Sequence, residues 1–449
     1  MNTIKITTPL LLCLSTLLLC SFSSGLFPTI LGYADEVILV FALLILTLNF
    51  FTSKKKSRFF FLLWIYLIYS LINSAASRFN PNLFYAFLQA LIHMKLFVVA
   101  YVSVGLFLAS KSGVKIVKNL YFTFIVLFAL GIIANYIFGA SWNNLLSSEP
   151  IQYRYGFIRP AGYFGHYAPN SYFFSIVLIT LFMLSTKSLT IDKSVQIRKF
   201  YLLILIDFLA AYPLTVRKGL FMIIPYGLYI LSLLNPTKRT VFSICASAFI
   251  AGFIFFISDS DIFLDTVSNI NNFFTDDHAY IRGLIVYYGF SLFSEFFPLG
   301  VGNGLYGTYF SNMNLSVYDY VGLNVEALTS QTGALLGVYD SGISAFIAES
   351  GFIGLVLATL IIKEFFNYNK RNLDPYNYKV FKIITYFALI LSITEPVWQN
   401  GFFTTFYTSS LLYIYTKNYR YKINGVWRKT NSMQVSPTLN QETKSAEAP

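Results

Sequence analysis

Apolar runs, each about the length of a bilayer crossing, follow one another through most of the chain, separated by short connections rich in Lys and Arg. A helix needs about 20 mostly apolar residues to span the hydrocarbon core, where its backbone groups must be paired internally. The runs lie near 8–31, 37–52, 59–76, 84–109, 119–138, 171–186, 200–215, 219–234, 240–257, 342–362, 383–395 and 402–416. Only 12% of residues are charged and 56% are hydrophobic, against about 25% charged in a soluble domain. The chain therefore reads as an all-α integral membrane protein of about twelve transmembrane helices.

Charge supplies the orientation. A net charge of +12 on such a chain marks cytoplasmic loops, not nucleic acid. With Lys5 inside and strict alternation, the cytoplasmic connections and the two termini hold 25 of the 32 Lys and Arg residues. The connection 258–341, expected outside, holds nine acidic residues and one basic residue, Arg282. The membrane domain then covers 1–428, with 258–341 as a large external loop before the tenth span. The polar, basic stretch 429–449 reads as a disordered cytoplasmic tail. At the N-terminus, apolar character resumes at 26–31, which favours an uncleaved first span over a cleaved signal peptide. Cys13, Cys20 and Cys245 sit in apolar runs without metal or disulfide spacing and read as buried apolar cysteines.

Seven cations escape the cytoplasmic pattern: Arg78, Lys95, Arg154, Arg159, Arg217, Lys218 and Arg282. Arg78, Lys95 and Lys218 read as snorkelling anchors or structural ion pairs. Arg159, Arg217 and Arg282 fall near the expected outer boundary, where a planar guanidinium suits a lipid phosphate or diphosphate. Arg217 follows Pro213 and stands with Lys218 and Gly219 at the start of the eighth span, whose free N–H groups also favour an anion. Arg159 lies in FIRPAGYFGHYAPNSYFF, a loop bent by Pro160, Gly162, Gly165 and Pro169, in which Asn170 can cap the sixth span. In that loop His166 is either a proton carrier or an interfacial hydrogen-bonding residue.

Among the acids, Asp340 lies at the outer start of the tenth span, Glu349 within it, Asp207 within the seventh, and Glu395 before Pro396. Asp207 and Glu349 are either functional or paired with Lys95 or another buried cation. Asp340 is the candidate general base, because it stands where a carboxylate can reach an acceptor hydroxyl. Pro298-Leu299-Gly300-Val301-Gly302-Asn303-Gly304 predicts a tight turn with close backbone approach.

Four stretches in this order, RPAGYFGHYAPNSYF, TVRKGLFMII, YIRGLIVYYGFSLFSEFFPLGVGNGLYG and YDSGISAFIAESGFIGL, resemble the O-antigen polymerase and O-antigen ligase superfamily. The resemblance covers about 159–362; earlier spans match only in hydropathy. It implies a GT-C-like glycosyltransferase architecture acting on polyprenyl-diphosphate-linked oligosaccharide at the outer face of a bacterial inner membrane. No metal or other cofactor is implied. The implied partners are that lipid-linked glycan, membrane lipid and a chain-length regulator protein.

Arg217 resembles the family's diphosphate-binding arginine, and Arg282 the arginine that opens the loop helix. Ligases typically carry His followed by Asn, Ser or Gln eleven residues before the position of Gly351; here Asp340-Ser341 stands there. That departure favours polymerisation of repeat units over ligation to lipid A core. A lipid-linked sugar flippase is the reading from a different class. The expected catalytic residues are Asp340, Arg217 and Arg282, with Arg159, His166, Asn170, Lys218 and Glu395 binding substrate. Tyr163, Tyr167, Tyr287 and Tyr288 are candidates for stacking on sugars.

Overall fold

The computed structural model describes residues 3–22, 34–52, 57–146, 152–154, 157–164, 168–185, 281–323, 342–393 and 395–423, with the isolated positions 237 and 240. The described chain is mostly helical. Helix α1 is Thr3–Phe22, α2 Ala34–Thr52 and α3 Arg58–Ala75. Next come α4, Leu83–His93, α5, Lys95–Ala109, and α6, Gly113–Phe138. A short α7, Ala140–Leu145, leads to strands β1, Gln152–Arg154, and β2, Phe157–Arg159, which pair antiparallel. Helix α8, Ala168–Tyr172, runs through a π-helical turn, Phe173–Leu178, into α9, Ile179–Ser185. After the undescribed stretch come α10, Ile281–Glu295, and α11, Ser316–Tyr320. Three long helices follow: α12, Gly342–Asn372, α13, Pro375–Leu391, and α14, Gly401–Ile423.

Among the described residues, α2, α3, α6 and α12 are long and apolar enough to cross a membrane. Helices α4 and α5 make a fifth if counted as one span bent by 57°. Capping fixes several starts: Ser57 accepts from Phe60 N, Asn82 from Phe84 N and Tyr85 N, and Asp374 from Tyr376 N and Asn377 N. Residues 8–22 of the first expected span, 8–31, belong to α1, which packs against α2, α5, α6 and α14. Cys13 corrects one expectation: it is exposed on α1.

Contacts sort the helix ends into two groups. At one end Asp35 touches Gly401, Ser77 Oγ donates to Val301 O, Ile343 N donates to Ser392 O and Tyr172 reaches Glu395. At the other, Thr8 Oγ1 meets Ser110 Oγ, Ser57 Oγ meets Tyr101 Oη, Tyr376 Oη donates to Met183 O and Asn418 Nδ2 to Asn372 O. We call these the Gly401 end and the Arg58 end. Arg58, Lys111, Lys370 and Arg371 stand at the Arg58 end, as the alternation of basic connections requires.

Two of the three expected structural cations, Lys95 and Arg78, have partners; Lys218 lies outside the described residues. Lys95 Nζ lies 2.5 Å from Asp35 Oδ2. Arg78 is 3.8 Å from Glu295 Oε1, and its guanidinium lies over the rings of Phe79, Phe296 and Tyr320 at 5.0, 4.6 and 4.2 Å. Lys95 is thus spent on Asp35, and Glu349 has a different partner.

Candidate functional site

The site is built on a broken helix. Within α12, Gly351 takes φ 61° and ψ −166°, a backbone region essentially reserved for glycine. The break frees the carbonyls of Ala348, Glu349 and Ser350, and buried carbonyls must find donors. The glycine-rich turn supplies them. Val301 N donates to Ala348 O at 2.9 Å and Gly302 N to Glu349 O at 3.1 Å. Asn73 Nδ2 also donates to Glu349 O, at 3.0 Å, and Tyr69 Oη to Ser350 O at 2.8 Å. In return Ile353 N donates to Pro298 O at 3.3 Å. Contact is so close that a Cβ at Gly351 would fall 2.3 Å from the Leu299 carbonyl carbon, and one at Gly300 would fall 2.6 Å from Gly351 N. Gly300, Gly302 and Gly304 all have positive φ.

The Glu349 side chain continues this join. It is fully buried, and Oε1 accepts from Leu305 N at 2.8 Å, Tyr306 N at 3.0 Å and Thr308 Oγ1 at 2.9 Å. Its Oε2 lies 2.9 Å from Nε2 of the buried His93. His93 ends α4, at the other helix break, so two broken helices meet through one hydrogen-bonded pair. Gln399 Nε2 stands 3.3 Å from His93 Nδ1, and Gln89 Nε2 donates to Gln399 Oε1 at 3.3 Å. Burial pushes the Tyr306 hydroxyl well above its ordinary value, which keeps it a neutral donor to Ile285 O at 2.6 Å. The turn is therefore fastened to α3, α10 and α12 together.

Several candidate residues gather at the Gly401 end. Arg159 closes β2 and is half-buried. Asn170 is buried and its Nδ2 donates to Pro160 O. Gly162 N donates to Asn135 Oδ1 at 2.9 Å and Trp142 Nε1 to Gly162 O at 2.9 Å, which ties this loop to α6 and α7. Two residues beyond Asn170, Tyr172 Oη donates to Glu395 Oε2 at 3.1 Å. Gly342, two residues after Asp340, packs so tightly on Glu395 that a Cβ would lie 2.8 Å from Glu395 O.

Helix α10 runs in the same direction as α12, with Gly289 against Ser344 and Gly300 against Gly351. The first turn of α10, which carries Arg282, thus lies at the same end as the start of α12. Arg159, Asn170, Glu395 and the backbone of Arg282 are brought to one end of the bundle. Arg217, Lys218, Asp340 and His166 lie outside the described residues, as do Asp207 and Tyr167. Tyr163 packs edge-on against Trp142 at 5.3 Å, and Tyr287 is exposed on α10.

His93 and Gln399 carried no sequence signal of their own, and Glu349 showed only as an acid in an apolar run. Glu349 pairs with His93, a partner not named for it in the sequence, and not with Lys95. No family model matches this sequence, and no curated protein matches it significantly.

Proposed function

We propose that the protein is a membrane glycosyltransferase that polymerises polyprenyl-diphosphate-linked oligosaccharide repeat units into a surface polysaccharide, with its site at the Gly401 end, facing outward. The observation that carries this reading is that Arg159, Asn170, Glu395 and the Arg282-bearing turn lie at the same end of the bundle as the start of α12, which is next to Asp340 in sequence. In this reading the architecture is GT-C-like, with about twelve spans. Arg217, with Arg159 and Arg282, neutralises charge growing on the leaving diphosphate, which counts most in a partly dehydrated site. Asp340 takes the proton of the attacking sugar hydroxyl as the anomeric C–O bond to the lipid diphosphate breaks. The rigid join of turn to helix break holds α10 and α12 in register, so the two starts stay aligned.

One observation favours a second reading. Broken helices meeting at a buried ionisable pair are a frequent device of transporters, and α4–α5 and α12 meet in that way at His93 and Glu349. Lipid-linked glycans from an Arg217→Ala strain separate the readings. Polymerisation predicts accumulated single repeat units in the outer leaflet, with Arg217→Lys clearly impaired because the bidentate fork is lost. Transport predicts units trapped in the inner leaflet. Ligation to lipid A core predicts long, untransferred polymer. Normal polymer on its usual acceptor would remove Arg217 from the mechanism.

A further inference from the structure

A groove of about 490 Å³ opens at the Arg58 end, lined by Arg58, Glu364, Asn367, Lys370 and Arg371. Its charge is unbalanced. Glu364 is taken by Arg371 at 2.9 Å, whereas Arg58 and Lys370, both exposed, have no ion-pair partner among the described residues. Two uncommitted cations from different helices thus face one open space, at the opposite end of the bundle from the candidate site.

The flanking surface narrows what can fill it. Beyond Arg58, α3 exposes Phe61, Ile68 and Ile72. Back along α12 from Lys370, Leu360, Val356 and Ile353 are exposed in turn. Helices α3 and α12 pack together, so the cationic groove sits at the head of an apolar track. A free anion would use the groove and leave the track; an amphiphile uses both.

We propose that this groove binds the phosphate headgroup of an anionic phospholipid, held by Arg58 and Lys370, with its acyl chains along the exposed faces of α3 and α12. Arg371 stays with Glu364 and shapes the floor. Each juxtamembrane cation near an anionic headgroup contributes attraction that salt weakens.

The test uses the full-length protein, delipidated in neutral detergent, with thermal unfolding followed as phosphatidylglycerol, phosphatidylcholine or inorganic phosphate is added. Phosphatidylglycerol should raise Tm by several degrees and phosphatidylcholine and phosphate should not. Arg58→Gln/Lys370→Gln should lose most of that shift. Lys382→Gln/Lys417→Gln removes the same charge from lysines that lie over the rings of Tyr378 and Tyr413, and should keep it. Native mass spectrometry should show a retained phosphatidylglycerol adduct in wild type and in the control, and a depleted one in Lys370→Gln alone. An equal loss in both double variants would mean diffuse attraction and overturn the site. Full stabilisation by inorganic phosphate would make the ligand a soluble anion and overturn the lipid assignment.

Discussion

Gly351 is the residue on which the architecture turns most sharply. Alanine there must hold a conformation costing of order 1–3 kcal/mol, and its Cβ would also overlap the Leu299 carbonyl carbon at 2.3 Å. Gly351→Ala should therefore lower Tm strongly or abolish the folded state, whereas Gly105→Ala, with nothing within 4 Å of the added carbon, should leave Tm nearly unchanged. Equal behaviour of the two variants in detergent unfolding would show that the turn does not dock on the break. His93 and Glu349 are a second residue-scale case. Removing His93 leaves Glu349 Oε2 unmet, at about 1–3 kcal/mol, and removing Glu349 strands Leu305 N, Tyr306 N and Thr308 Oγ1 as well as His93. His93→Ala and Glu349→Ala should each destabilise, and the double variant by clearly less than the sum, because both delete the same hydrogen bond. Additive losses would mean that the pair contributes nothing as a pair.

At the scale of elements, the stretch 301–307 is glycine-rich and irregular, yet the amides of Val301, Gly302, Asn303, Leu305, Tyr306 and Gly307 all donate to α3, α11 or α12. Those amides should exchange with deuterium as slowly as the middle of α12, since exchange requires the join to open. Rapid exchange there, with α12 protected, would contradict the docked turn. The turn itself was legible: a proline followed by closely spaced glycines points to close backbone approach. Its target was not: Gly351 and Gly354 interrupt the apolar helix in the sequence, but nothing there says that the turn docks on that interruption. The Lys95 partner was hidden for a related reason. Asp35 is 60 residues away in sequence, and only the packing of α2 on α5 brings the two together. Expected span limits at 37–52 and 59–76 lie close to α2 and α3, because hydropathy reports burial from water directly. The bend between His93 and Lys95 falls inside the single expected run 84–109, with no proline or glycine at the bend to mark it.

At the scale of the whole molecule, the grouping of helix ends fixes which connections must share a side. Reporter fusions at Lys193 and Arg371 should give cytoplasmic signals, and a fusion at Asp276 an external one. A cytoplasmic signal at Asp276 would overturn the siting of the candidate residues. The proposed oligosaccharide chemistry rests on the order of the motifs, and several of the residues assigned to it, Arg217 and Asp340 among them, lie outside the described residues. The packing of α1 against α14 carries one more consequence. Of the described helices, the first to leave the ribosome finds part of its lasting neighbourhood only when the last emerges. Early spans must therefore wait in the lipid with faces uncovered, open to insertion chaperones and to quality-control proteases. A nonsense mutation just ahead of Gly401 should accordingly shorten the life of the entire polypeptide, however much of the chain precedes it.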